Sequence, residues 1–249
     1  GREKLLSATA ARFAGMTAVG IIAPLAAGAV INGAGIGWAY VIIAGGYLAS
    51  AGFMLVLSST KPTRRKSSSP LEDLRQGISF VIRTPVVRTL IILVFITEAF
   101  GWAHESMLPV MARDVLDAGA SGLGYLLAAG SAGATVTTVI LASRSDVRSK
   151  SNLLVGGAMG FGFFLILFSW STWLPLSLAF LAGAYASVVM YETTVNTLLQ
   201  TSVPDELRGR VLSFQTMMWG VTGLAGFHTG AIASAMGAPI AIAIGGGVV

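Results

Sequence analysis

In a chain of 249 residues, hydrophobic side chains make up 54 % and charged ones only 11 %, less than half the roughly 25 % of an average soluble protein. The mean hydropathy is +0.77. So few charges cannot cover a water-facing surface, which excludes a soluble globular domain; a surface facing hydrocarbon accounts for the shortage. There is no cysteine, so disulfides, zinc–thiolate sites and thiol catalysis are excluded as well.

Apolar runs of the length that crosses a bilayer, about 20 residues, follow one another along the chain. The first occupies residues 8–31. A short turn at Asn32, Gly33, Ala34 and Gly35 leads into the second, 38–58. A charged, serine-rich stretch fills 61–88. The third run, 89–110, is interrupted by Glu98, His104 and Glu105. The fourth is 122–142, the fifth 153–170, the sixth 173–199 and the seventh 211–236. An eighth starts near Pro239 and has about 11 residues, too few to span a bilayer. The expectation is an all-α, polytopic transmembrane bundle with about seven full helices and part of an eighth. It reads as a fragment, cut short in its last helix and at its N-terminal side.

Basic residues mark the sidedness. Fifteen of the sixteen lysines and arginines fall in alternate connections: Arg2, Lys4 and Arg12, the stretch from Lys61 to Arg88, then Arg144, Arg148 and Lys150, and finally Arg208 and Arg210. The opposite side receives Arg113 alone. By the positive-inside rule the rich side is cytoplasmic, and the net charge of +5 is a topology signal. Spread over four separate loops, these residues do not form a nucleic-acid patch.

The long cytoplasmic connection carries a helix of its own. Ser69 is placed to cap it, Pro70 suits its first turn and Glu72 completes a capping box. Leu71, Leu74, Ile78, Val81 and Ile82 share one face, and Thr84, ahead of Pro85, is biased away from helix. An amphipathic helix lying on the inner membrane surface is expected, either as a connector between two bundles or as a plain tether. Many of the 31 glycines lie inside the apolar runs, where small residues let helices approach closely. Gly156 with Gly160 and Gly226 with Gly230 form GxxxG pairs, and Gly130, Ser131, Gly133 and Thr135 form a small patch.

Charges inside the membrane are costly, about 2.5–3.5 kcal/mol by insertion scales, so acids there should face the protein interior. Glu98 and Glu105 are seven residues apart, which on a regular helix puts them on one face. Glu192, Asn196 and Gln200 are spaced by four and form a polar stripe on the sixth run. Glu98 is the first candidate for a proton carrier and Glu192 the second. Glu105, beside His104 and nearer the outer surface, is a candidate lining residue. The competing reading makes these groups structural hydrogen-bonding partners between helices, or cavity-lining groups unrelated to protons. No metal site is expected: His104-Glu105 has no second histidine four residues on, so no zincin motif exists, and the other histidine is His228. Without a nucleotide loop or a Ser/His/Asp pattern, no cofactor is expected and a membrane-embedded enzyme has thin support. At 203–211, Asp205 and Glu206 precede a helix and favour its positive end, while Arg208 and Arg210 are placed to pair with them or with acidic lipid head groups.

Three stretches carry a family resemblance. They are Gly77-Ile78-Ser79-Phe80-Val81-Ile82-Arg83-Thr84-Pro85, Leu108-Pro109-Val110-Met111-Ala112-Arg113-Asp114 with Gly119-Ala120-Ser121-Gly122-Leu123-Gly124, and Asn196-Thr197-Leu198-Leu199-Gln200 leading to Val203-Pro204-Asp205-Glu206-Leu207-Arg208-Gly209-Arg210. In these the chain resembles the major facilitator superfamily, and most of all its bacterial branch of siderophore exporters and macrolide efflux proteins. The resemblance implies that the runs are helices five to twelve of a twelve-helix transporter. Residues 1–60 would then be the last two helices of the N-terminal bundle, 61–88 the cytoplasmic linker, and 89–249 the C-terminal six-helix bundle. It also implies that Asp205, Glu206, Arg208 and Arg210 form a cytoplasmic gate loop. The helix-five antiporter motif survives in altered form, with Pro24 and Gly28 kept and its other glycines replaced. The loop 143–148 lacks the usual glycine pattern.

The implied function is secondary transport, as a proton-coupled exporter of a siderophore, macrolide or other drug-like compound, in a bacterial inner membrane. The partners are a small-molecule substrate, protons and the lipid bilayer, without nucleic acid, and the full-length protein would be a monomer. A transporter-like sensor or scaffold is the alternative. Residues 1–249 alone, lacking most of one half, are not expected to carry coupled flux. The charge split also makes a topology prediction. Single cysteines introduced at Arg113, Asp114 or Asp117 will react with an impermeant thiol reagent added outside intact cells, and one at Lys66 will not; external labelling of position 66 reverses the assignment.

Overall fold

The computed structural model describes residues 2–56, 70–143 and 150–249. The expected Ser69 cap, the basic cluster at 61–66 and the loop at 144–148 lie outside the described residues. The rest is helical, with no strand among the described residues: α1 (Arg2–Ala34), α2 (Ile36–Val56), α3 (Pro70–Arg83), α4 (Pro85–Val115), α5 (Gly119–Ser143), α6 (Lys150–Trp170), α7 (Leu174–Ser202), α8 (Asp205–Met236) and α9 (Ala238–Val248). Breaks fall where the chain cannot continue a helix. Gly35 and Gly237 have φ of +89° and +91°, left-handed values that glycine adopts without penalty. Thr84 is extended ahead of Pro85, as the restriction on residues preceding proline requires.

Among the described residues five helices are long and apolar enough to cross a membrane: Ile36–Leu55, Pro85–Val115, Gly119–Ser143, Lys150–Trp170 and Leu174–Ser202. The seventh run is not among them. Its helix, α8, has 32 residues, about 48 Å at 1.5 Å each, so length is not what fails. The polar residues along it, Asp205, Glu206, Arg208, Arg210, Thr222 and His228 among them, lower its hydropathy. α1 counts as apolar over the shorter stretch Ala18–Ala34.

Helices α4 to α9 pack as one bundle. α7 lies against both α5 and α6, α9 against α6 and α8, and α8 against α4. Phe161, Leu165, Phe168, Leu181, Val188, Tyr191 and Val195 are fully enclosed and form the core along α6 and α7. α1 runs along α5, and α2 packs on α1 with its apolar side chains exposed, Leu48, Phe53 and Leu55 among them. In lipid such exposure carries no penalty.

The α1–α5 contact is made by backbone meeting backbone. A β-carbon on Gly28 would lie 2.8 Å from the Ala120 carbonyl oxygen, and one on Gly124 2.5 Å from the Pro24 carbonyl oxygen. Asn32 Nδ2 donates to Ser121 Oγ at 3.3 Å near the end of the same seam. Pro24 sits inside α1, where its ring removes one backbone hydrogen bond. The small-residue expectation for Gly130 and Gly133 is met against α7, on the Tyr185 ring and the Ala182 carbonyl respectively. The two GxxxG pairs fare differently. Gly160 meets Ser187, whereas Gly156 has only the end of Met190 near it at 4.0 Å; the tightest approach on α6 is at Gly162, against the Gly246 carbonyl oxygen. Gly226 has only Ser106 near it at 3.8 Å, and Gly230 has nothing within 4 Å, so that pair is not a close helix crossing.

The linker helix α3 does more than tether. Gly77 and Val81 are buried against the start of α8, and Arg210 Nη1 donates to Gln76 Oε1. Ile82 remains 58 % exposed, the apolar edge that a helix at a membrane surface presents.

Gly124→Val should lower stability by about 1–3 kcal/mol, because the added carbons collide with the Pro24 carbonyl. Gly230→Ala should change it by less than about 0.5 kcal/mol. Thermal unfolding in detergent checks both; equal loss in the two variants contradicts the packing described.

Candidate functional site

α4 is not a regular helix where its polar residues sit. After Ile96 it widens to a π-helical turn at Thr97–Gly101, tightens to 3₁₀ geometry at Trp102–Met107, and widens again at Met111–Val115. Pro109 gives one cause. It has no N–H to offer the carbonyl of Glu105, and Leu108 N–H takes that carbonyl instead. Gly101 gives another, since its bare backbone lies so close to the Phe161 ring that a β-carbon would stand 2.5 Å from it. Such π segments concentrate at functional sites.

The seven residues from Glu98 to Glu105 thus span irregular turns and not a regular helix. The 3.6-residue period fails across 97–107, and the two acids turn to different neighbours. Glu98, 5 % exposed, accepts from Thr222 Oγ1 on α8. Glu105, exposed, accepts from Tyr185 Oη on α7 at 2.8 Å. Glu192, on α7, accepts from Trp102 Nε1 at 3.1 Å, and Asn196 Nδ2 donates to the Glu192 carbonyl at 3.2 Å. Glu98, Glu192 and Asn196 line one cleft with Thr97, Tyr191 and Trp219. The space open to the centre of a water is about 10 Å³, roughly one water molecule. Gln200 is exposed and does not line this cleft, so only two of the stripe's three residues reach it.

Beside the cleft lies an aromatic cluster. His104, 2 % exposed, sits among Trp102, Phe161 and Tyr185, with ring centroids 6.1, 5.9 and 5.8 Å away. Its Nδ1 is 2.7 Å from the Gly101 carbonyl, which can only accept, so Nδ1 carries a proton. One buried polar atom here makes no hydrogen bond, His104 Nε2, while the Tyr191 hydroxyl faces the Thr97 side chain. Among the described residues no group of three His, Asp or Glu stands close enough to hold a metal ion.

Sequence reasoning missed Thr222, Trp102, Tyr185, Tyr191 and Trp219. Trp102 carried a signal, being four residues from Glu98. Thr222 carried none, since its partner is 124 residues away.

At the cytoplasmic loop, Arg208 Nη2 pairs with Asp205 Oδ1 at 2.6 Å, three residues apart at the start of α8. Arg210 reaches the linker helix through Gln76. Glu206 is exposed. Pro24 and Gly28 lie on the α1–α5 seam and do not line the carboxylate cleft.

A multi-pass helical bundle with acids enclosed between its helices has the make-up of a membrane transporter. The Major Facilitator Superfamily model matches residues 1–227, and the chain belongs to that family of transporters. It is similar to the enterobactin exporter EntS of Escherichia coli O139:H28 (strain E24377A / ETEC) and of Shigella boydii serotype 18 (strain CDC 3083-94 / BS512), in each case 25 % identical over 216 residues, 85 % of this chain and 50 % of the relative. The chain thus spans about half the length of the curated relatives it matches. No solved structure matches it.

Proposed function

We propose that this chain is the substrate- and proton-handling part of a secondary transporter that exports a small molecule from a bacterial cell in exchange for protons. The observation that carries the reading is the shared cleft. Glu98 and Glu192 come from different helices, line one water-sized space, and are each held by a neutral donor, Thr222 and Trp102. Neutral donors support a carboxyl group in either protonation state more readily than a fixed cation would. Two carboxyls on one small space titrate as a pair, which suits a site that loads and unloads protons.

The remaining architecture supports alternating access. In this reading residues 1–60 belong to one half, 89–249 to the other, and 61–88 connect them. The glycine seam between α1 and α5 is then an inter-half contact, smooth enough for the halves to rock. The Arg210–Gln76 bond and the Arg208–Asp205 pair stand at the cytoplasmic end as contacts that would part and re-form. Export is favoured by the likeness to exporters from Escherichia coli and Shigella, which also points to the bacterial inner membrane. The opposing possibility, a sensor that keeps the fold without transport, is decided by the same experiment.

In the full-length protein, Glu98→Gln and Glu192→Gln should each reduce efflux driven by a pH gradient by at least about tenfold, the scale of losing an essential charge-bearing group. Flux in inside-out vesicles, followed with and without the gradient, reads this directly. Wild-type gradient dependence in both variants removes proton carriage from the cleft, and no flux in the parent protein supports the sensor.

A further inference from the structure

The linker helix carries a groove that proton handling leaves unused. It lies between α3 and the start of α8, with a volume of about 520 Å³, inside the range of about 300–1,000 Å³ for small-ligand sites. Arg75, Ser79 and Arg83 stand along its α3 wall beside Glu72 and Gln76, and Leu207 of α8 closes it. We propose that this groove holds the head group of an anionic glycerophospholipid of the phosphatidylglycerol kind, with the phosphate on Arg75, Ser79 and Arg83 and an acyl chain along Ile78 and Ile82. This requires the linker to lie at the cytoplasmic face, and it is independent of proton carriage in the carboxylate cleft.

Helical spacing builds the wall. Residues four apart are neighbours on a helix, so Arg75, Ser79 and Arg83 form one row. The two guanidinium groups start about 12 Å apart along the axis, a span that two long side chains close by leaning toward Ser79. Both arginines are exposed, and no carboxylate among the described residues pairs with either. Gln76 is already engaged: its Nε2 donates to Glu72 Oε1 at 3.2 Å, and its Oε1 accepts from Arg210. The groove therefore offers guanidinium and hydroxyl donors and one acceptor, the second oxygen of Glu72. A phosphodiester presents acceptors to the arginine forks, and a glycerol head group presents hydroxyl donors to Glu72. Charge agrees as well. Two arginines and one glutamate leave the groove one positive charge, and phosphatidylglycerol carries one negative charge, whereas a zwitterionic lipid carries no net charge.

The apolar edge beside this row points to a lipid and not to a soluble phosphate. Ile78 follows Arg75 by three residues and Ile82 follows Ser79 by three, so each stands next to a polar member of the row. They are 37 % and 58 % exposed, and Val86, past the break at Thr84, is 58 % exposed. A soluble anion leaves these carbons uncovered, while acyl chains cover them. The inner leaflet supplies anionic lipid at this depth. On its other side α3 packs against α8 through Gly77 and Val81, so a lipid seated in the groove touches the linker and α8 together.

Native mass spectrometry of the purified full-length protein reads lipid binding, with phosphatidylglycerol, phosphatidylethanolamine and phosphatidylcholine of identical acyl chains. Phosphatidylglycerol should bind at least about tenfold more tightly than either zwitterionic lipid. Arg75→Gln/Arg83→Gln should weaken it at least about tenfold, the scale of two arginines facing an anionic surface, and leave phosphatidylcholine unchanged. Arg144→Gln/Arg148→Gln removes the same charge from another basic loop and should leave phosphatidylglycerol binding intact. A second measurement locates the site. Ser79→Cys, in a cysteine-free background, should react with a maleimide more slowly when phosphatidylglycerol is present. Glycerophosphoglycerol, the same head group without chains, should give no protection at equal concentration. Equal binding of the three lipids, equal loss in the two double variants, or a Ser79→Cys thiol that phosphatidylglycerol leaves unprotected overturns the proposal. Protection by glycerophosphoglycerol as strong as by the lipid makes the groove a site for soluble phosphate esters and overturns the lipid assignment.

Discussion

An ionisable group in hydrocarbon must be enclosed, and this constraint orders the whole bundle. Lipid offers neither water nor counter-ions, so each acid in a membrane helix has to find its partners on another helix. Glu98 finds Thr222, Glu192 finds Trp102 and Glu105 finds Tyr185. These three bonds tie α4 to α7 and α8. They leave from the stretch of α4 where the helix is irregular, the π and 3₁₀ turns at 97–107.

Close packing elsewhere gives the site its rigidity. Between helices in lipid there is no water to expel, so contact depends on dispersion and on how near the backbones come. Gly133 against Ala182 and Gly157 against Ser187 and Tyr191 bring α5 and α6 onto α7. That sandwich fixes the face of α7 on which Tyr191 and Glu192 stand. The α1–α5 seam uses the same device, with Gly28 and Gly124, but it lies on the outer flank of the bundle. Packing of one kind thus holds the site still in one place and supplies a smooth surface in another.

Much of this was legible in the residues. Long apolar runs, Pro85 after Thr84, and the separation of basic from neutral loops announce the helices and their order, because bilayer thickness and helix capping act locally. Glu98 and Glu192 were legible as candidates, since a charge in an apolar run is conspicuous. Their partners were not. The Glu98–Thr222 bond joins residues 124 apart, and nothing in the surroundings of Thr222 distinguishes it from other threonines in apolar runs. Glu98 and Glu105 bond to different helices, and Pro109 and the crowding at Gly101 break the regular period between them. Gly226 with Gly230 matched a packing pattern but faces no neighbouring backbone, because spacing alone does not say which side of a helix meets another.

The central claim is that the carboxyl groups of one cleft load and release a proton. Infrared difference spectroscopy on the full-length protein tests it most directly, by following the carbonyl stretch of protonated carboxyl groups as the pH is raised. The account predicts loss of a protonated-carboxyl band as the pH rises, with that band missing from the Glu98→Gln/Glu192→Gln double variant. A band that ignores the pH, or that survives unchanged in the double variant, would contradict it.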